Sequence, residues 1–205
     1  LGEIVVVGTA QGDGEIRLGD ETITDLDPEL RVQRGLVRTF QINSLFPNLN
    51  PLEAVTLAIC ERKGISRTWL KPITSYRAET DEAYDILKSL LLANVCYRQT
   101  RELAYGQQRL LEIALALATR PKVLLLDEPA AGVPREESAE LFTAVTNLSK
   151  DITVLFIEHD MDFVFRFASR IIVMVGGRIL LEGTPTEISA DPRVREVYLG
   201  GAHHD

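Results

Sequence analysis

Cysteine is nearly absent from this chain of 205 residues: Cys60 and Cys96 are the only two. A disulfide framework is excluded, and two reduced thiols in a cytosolic protein are the expectation. Long hydrophobic runs are missing as well. Leu90–Ala93 and Ile171–Val175 fall far short of the ~18 residues that cross a bilayer, so any work at a membrane goes through a partner. The first residues show neither the basic start nor the apolar stretch of a secretory signal, and none is expected. Positive charge is scarce: 22 Lys and Arg stand against 30 Asp and Glu, for a net charge of -8, and no lysine precedes Lys63. A nucleic-acid binder carries the opposite sign, so no nucleic-acid partner is expected. There is no internal repeat and no low-complexity segment. What remains, 45% apolar and 25% charged residues, is the mixture of an ordinary globular protein of one large or two small domains.

Short β-rich runs alternate with helical patterns. Glu3–Val7, Leu36–Phe40, Val123–Leu126 and Thr153–Ile157 read as strands, the last two apolar at consecutive positions and so expected to be buried on both faces. Glu15–Leu18 with Thr22–Ile23, around Gly19-Asp20, and Ile171–Val175 with Arg178–Leu181, around Gly176-Gly177, read as hairpins. Helices are expected over Ala78–Leu92, Gln107–Ala118, Glu136–Leu148, Asp160–Ala168, Pro185–Ser189 and Asp191–Leu199. The layout predicts an α/β protein: a core of residues 1–49 and 119–183 with an inserted helical subdomain, 50–118, and a helical tail, 184–205.

The strongest chemical signal is Val123-Leu124-Leu125-Leu126-Asp127-Glu128. A buried strand delivers two carboxylates to its C-terminal end, where open α/β sheets bind ligands. A Mg²⁺ carrying nucleotide phosphates is a natural partner for such charge. Asp127 would hold the metal, and Glu128 would orient an attacking water. Thr153–Ile157 ends in the same style with Glu158-His159-Asp160, and an imidazole at that edge can donate to a terminal phosphate oxygen. Leu103-Ala104-Tyr105-Gly106-Gln107-Gln108 stands before a long apolar helix, where Gly106 permits close backbone approach and a helix N-terminus receives anions. Gln41, after Thr39-Phe40, could reach metal or water through its amide. Taken singly, each has a plain structural reading: a solvated turn, a capping histidine, a helix start, a surface amide.

The ordered set, Gln41, Leu103–Gln108, Val123–Glu128 and His159, resembles the ATP-binding subunit of an ABC transporter over essentially the whole chain. The resemblance implies a P-loop NTPase core with a mainly parallel sheet, an antiparallel β portion and the inserted helical subdomain, all in one domain. It makes Gln41 the Q-loop glutamine and a metal contact, and Leu103, Ala104, Tyr105, Gly106 and Gln107 the signature motif. It makes Asp127 the Walker B aspartate, Glu128 the catalytic glutamate, Ala130–Val133 the D-loop and His159 the switch histidine. ATP and Mg²⁺ are the implied cofactors. The implied partners are a second ATPase subunit, head to tail, and membrane permease subunits meeting the Q-loop and helical subdomain at the cytoplasmic face. Arg38-Thr39-Phe40-Gln41, Tyr105 through Ile113, Ile157–Met161 and the tail from Asp191 are most similar to the branched-chain amino-acid uptake family, with urea and amide importers similar in the same places.

One element of that family is missing. Gly8 stands where the first glycine of Gly-x-x-x-x-Gly-Lys-Ser/Thr belongs, but Thr9-Ala10-Gln11-Gly12-Asp13-Gly14 follows directly. Either the loop and its helix are deleted, leaving a non-catalytic interaction module, or the sequence passes over an intervening segment there. The second is the expectation, because losing a crossover helix would uncover the sheet. Val133 running straight into Pro134 is a second such irregularity. A soluble ATPase of DNA maintenance would need coiled-coil arms or zinc-binding cysteine pairs, and neither is present.

Overall fold

The computed structural model describes residues 14–39, 45–65, 75–194 and 196, and the backbone of 4–7. Its strands are β1 (Ile4–Val7), β2 (Glu15–Leu18), β3 (Glu21–Thr22), β4 (Leu36–Arg38), β5 (Val123–Asp127), β6 (Thr153–Ile157), β7 (Ile171–Val175) and β8 (Arg178–Gly183). Its helices are α1 (Pro28–Arg34), α2 (Pro51–Arg62), α3 (Arg77–Ser89), α4 (Tyr105–Ala118), α5 (Arg135–Thr146), α6 (Met161–Phe167), α7 (Pro185–Ala190) and α8 (Pro192–Val194). Two compact units emerge, one of residues 1–6 and 15–158, the other of 7–14 and 159–205.

In the first unit β4, β5 and β6 form a parallel sheet in that order, with Leu36 opposite Val123 and Asp127 opposite Ile157. Val123, Leu124 and Leu126 are buried, as a central parallel strand requires. β6 departs from expectation. Leu155 and Ile157, two residues apart and so on one face, are 45% and 62% exposed. β6 ends the order of described strands, and that face meets solvent rather than a covering layer.

β1 also differs from the reading of a strand in the parallel sheet. It joins β2 and β3 in a separate three-stranded sheet. Only residues 8–14 separate β1 from β2, fewer than the dozen or so that a parallel crossover needs. The β2–β3 hairpin is as expected, and Leu18 and Ile23 pack on Val123 at the start of β5.

α1 was not legible as a helix. Pro28 pre-sets its first turn, and Gly35 ends it in the left-handed region at φ 98° with its N–H on Val32 O at 2.9 Å. The carbonyl of Gly35 accepts from both Lys122 and Val123, which ties this turn to the start of β5.

The helices α2, α3 and α4 pack together as the helical subdomain. α2 starts with a reciprocal cap: Asn50 Oδ1 accepts from the Glu53 N–H at 2.9 Å, and Glu53 Oε2 accepts from the Asn50 N–H at 3.0 Å. Val55, Ile59, Leu87, Leu111 and Ala114 form its buried interior. Cys60 and Cys96 are free and buried there, and burial pushes both thiols up, away from the reactive thiolate. α5 buries Leu141, Phe142 and Val145 on one face, with Phe142 edge-on to Phe156 of β6 at 5.4 Å. It stops at Thr146, so Leu148 lies beyond it.

Glu82 of α3 collects Arg62 at 2.9 Å, Arg120 at 3.0 Å and Lys63 at 3.6 Å. The Arg62 hydrogen bond, more than the others, holds its carboxyl below the usual range. A folded pKa below the unfolded one adds stability at neutral pH, and that stability is lost as pH falls from about 4.3 through the lower folded value. Glu82→Gln is expected to cost about 1 kcal/mol at pH 7 and to lessen acid sensitivity, read from melting curves across pH 3–7.

The second unit holds the antiparallel β7–β8 hairpin and α6, α7 and α8. Asp160 Oδ1 caps α6 by accepting from the Asp162 and Phe163 N–H groups. Thr184 and Glu187 cap α7 reciprocally. Asp191 accepts from the Arg193 N–H at the start of α8, as its place before Pro192 suggests.

Candidate functional site

Parallel register brings the acidic pair to the C-terminal end of the sheet. Asp127 is the last residue of β5, opposite Ile157, and its side chain keeps 26% of its surface in solvent. Arg38, from the neighbouring strand β4, donates to Asp127 Oδ2 at 2.6 Å. Thr39 continues that strand end, its N–H on Leu125 O at 3.0 Å.

Glu128 follows in the left-handed region at φ 44°, costly for a residue with a side chain. The conformation is held on both sides: the Glu128 N–H donates to Ile157 O, and its carbonyl accepts from the Ala131 N–H, each at 3.0 Å. Residues kept in such regions cluster at functional sites. The Ala130 N–H donates to Glu158 Oε1 at 3.1 Å, so the residue after β6 braces the turn Ala130–Val133.

Leu103–Gln107 leads into and begins the first turn of α4. The helix starts at Tyr105, two residues earlier than sequence periodicity suggests. Leu103 is buried, and Ala104 is the N-cap residue. Alanine has no side-chain acceptor, so Gln107 supplies half of a cap by accepting from the Ala104 N–H at 3.1 Å. Gly106 donates its N–H to Glu137 Oε2 of α5 at 2.9 Å. A Cβ there would lie 2.6 Å from that oxygen and 3.0 Å from Glu137 Cβ, so a side chain would crowd the start of α5. Glu137, which reads in sequence as a favourable charge for the first turn of its own helix, thus serves the N-terminus of another.

Tyr105 packs its ring against Gly132 and accepts from Arg109, which also pairs with Glu112 at 2.9 Å. Burial pushes the Glu112 carboxyl up, against the pull of the Arg109 guanidinium. Thr39, Arg109, Glu112, Asp127 and Pro129 share one narrow crevice. The spacings Tyr105–Arg109 and Arg109–Glu112, four and three residues, are visible in sequence as neighbours on one helix face. The pairs Arg38–Asp127 and Gly106–Glu137 have no such signature, being set by strand register and helix packing.

His159 is exposed and stands two residues after Ile157, between β6 and the cap of α6. Gly8 and Gln41 lie outside the described residues. Asp127, Glu128 and the first turn of α4 therefore fall in one unit.

Asp127 offers a hard oxygen at a strand end, which suits Mg²⁺ held by one carboxylate and phosphates. Among the described residues there is no cluster of three or more His, Cys, Asp or Glu that would cage a metal alone. The acidic pair and the α4 turn fit a nucleotide–metal group. The sequence between β1 and β2 contains no lysine-bearing phosphate loop. No described helix is long and apolar enough to cross a membrane.

Residues 4–131 match the family described as ABC transporter, and residues 178–204 match that described as branched-chain amino acid ATP-binding cassette transporter. The chain is similar to the high-affinity branched-chain amino acid transport ATP-binding protein BraF of Pseudomonas aeruginosa, 36% identical across 92% of this chain and 77% of that protein. It is 32% identical to the probable branched-chain amino acid transport ATP-binding protein LivG of Methanocaldococcus jannaschii, across 96% and 80%. Among solved structures it is similar to an ATP-binding cassette of an ABC transporter in its ADP conformation, with TM-score 0.75 and 33% identity over 92% and 77% of the two chains. A dimeric cassette in a post-hydrolysis state with ADP and phosphate matches with TM-score 0.65 and 25% identity, over 84% and 74%. The chain belongs to the family of ABC transporter ATP-binding proteins.

Proposed function

We propose that this chain energises an importer of branched-chain amino acids as its ATP-binding, ATP-hydrolysing subunit, bound peripherally at the cytoplasmic face of the membrane through permease subunits. The observation that carries this reading is the pairing of the cassette match over residues 4–131 with a branched-chain match in the tail, residues 178–204. Residues 1–205 are read as one cassette, with 50–118 as its helical subdomain and 184–205 as its tail.

Within the site, Asp127 and Gln41 would hold Mg²⁺, which neutralises phosphate charge when bound. Glu128 orients water and accepts its proton. By the family's motif order, His159 and Gln41 would sense the terminal phosphate, and Gly8 would be the first glycine of a phosphate-binding loop. Leu103–Gln107 faces the nucleotide of a second ATPase subunit placed head to tail, so closure of the pair completes each site. The helical subdomain and the surface near Gln41 receive the permease.

A second reading, a non-catalytic interaction module, is favoured by one observation, the missing phosphate-loop lysine. Two measurements separate them. Phosphate release from ATP by the full chain should require Mg²⁺ and stop with EDTA. Cells lacking the chain should lose uptake of labelled leucine and keep uptake of labelled urea. No turnover with intact folding supports the module, and selective loss of urea uptake replaces the solute.

A further inference from the structure

Two polar atoms near the start of α4 are buried without a hydrogen-bond partner: Nε of Arg109 and Oε1 of Glu112. Arg109 is 7% exposed. Its other nitrogens are engaged, one with Glu112 Oε2 at 2.9 Å, the other with the Tyr105 hydroxyl at 3.0 Å. Its guanidinium carbon lies 5.3 Å from the centre of the Tyr105 ring. Arg109 and Glu112 both line the crevice that reaches Asp127, whose free volume is about 10 Å³. One orphaned donor and one orphaned acceptor beside a space about one water wide are matched by a single bridging water.

The position of the crevice gives this arrangement a role. One wall is α4, which carries Leu103–Gln107 at its start, and the other includes Thr39 at the end of β4 and Asp127 at the end of β5. Tyr105 extends the contact to the next turn, since a Cβ on Gly132 would stand 3.4 Å from its ring. The Tyr105 ring thus lies against Gly132, and polar contacts run from its hydroxyl through Arg109 to Glu112 and the crevice. A buried ion pair is a poor device for stability, because apolar residues of the same volume pack as well; its better-attested use is to specify one arrangement.

We propose that Arg109 and Glu112 are positioning residues for ATP hydrolysis. With one water in the crevice, they fix α4, and so the segment Leu103–Gln107, against the carboxylate end of β5. This rests on the reading that Asp127 and Glu128 serve the nucleotide, and neither Arg109 nor Glu112 touches a reacting atom.

The test is the full chain carrying Arg109→Met with Glu112→Leu, followed by melting temperature, kcat and KM for ATP. The double variant should melt no lower than the unaltered protein, keep KM within about two-fold and lose about ten-fold or more in kcat. Unchanged kcat in the folded double variant makes the pair structural only and overturns the proposal. Glu112→Gln, which keeps shape and removes charge, decides the matter if the double variant does not fold: kcat should drop at least about three-fold at unchanged KM, and undiminished kcat overturns the proposal. Full turnover by Glu128→Gln, or none by the unaltered chain, instead overturns the underlying reading and the proposal with it.

Discussion

Glu128→Gln is expected to lower ATP turnover by about 10²- to 10⁴-fold, with nucleotide affinity within a few-fold of the unaltered protein. The substitution keeps side-chain length and the amide geometry that the turn needs. The Glu128 N–H stays on Ile157 O, and its carbonyl still accepts from Ala131, so the left-handed backbone at φ 44° is retained. What is lost is the oxygen able to take a proton from water. Phosphate release measures turnover, and titration with a fluorescent nucleotide measures binding. Turnover at the original rate would remove Glu128 from its role. A parallel loss of binding would place it in holding the nucleotide rather than in the chemical step.

Gly106→Ala should reduce turnover by about ten- to a hundred-fold and lower stability by about 1–3 kcal/mol, the usual cost of forcing a methyl into a packed contact. The added Cβ would stand 2.6 Å from Glu137 Oε2, 3.0 Å from Glu137 Cβ and 3.4 Å from Val133 Cγ1. The carboxylate can swing aside, but the Glu137 Cβ moves only with the backbone of α5. Either the starts of α4 and α5 part, or the Gly106 N–H loses its acceptor. Adding Glu137→Ala removes the carboxylate contact but keeps the Cβ at 3.0 Å and leaves the Gly106 N–H without its acceptor, so it should return only part of the melting temperature, while turnover stays low because the turn of Leu103–Gln107 has shifted. A Gly106→Ala protein that melts and turns over normally would refute the close approach. Both substitutions act on residues that sequence singled out, but only the second depends on a neighbour that sequence did not reveal.

The contrast between α2 and α1 shows how much of the fold could be read in advance. Asn50-Pro51 with Glu53 is a complete helix start written in adjacent residues, within a stretch read as helical. α1 has a proline start and a glycine stop, yet none of its residues is buried, so no apolar stripe announces it. β5 and β6 look alike in sequence, but neighbours decide burial: β5 lies between two strands and β6 at the end of the described order. The placement of β1 beside β2 follows from the short segment 8–14, a length legible in sequence once the need for a crossover is considered. Sequence periodicity starts the helix at Gln107, whereas Tyr105 and Gly106 also lie inside it. The residues that surround the acidic pair belong to the same class of information. Arg38 reaches Asp127 because β4 is in register with β5. Glu158 reaches Ala130 because β6 runs beside β5.

Sequence alone determined what this chain contains: a strand ending in Asp127-Glu128, an apolar helix entered through Leu103–Gln107, hairpins at Gly19-Asp20 and Gly176-Gly177, and a family resemblance that similar proteins confirm. These follow from local rules of periodicity, turn chemistry and strand burial, which act within a few residues. Tertiary structure decided which groups meet: Arg38 with Asp127, Glu137 with Gly106, and Arg109 and Glu112 with the crevice beside β5. The physical reason is that a hydrogen bond or a buried charge depends on angstrom-scale distances, and strand register and helix packing set those distances across tens of residues.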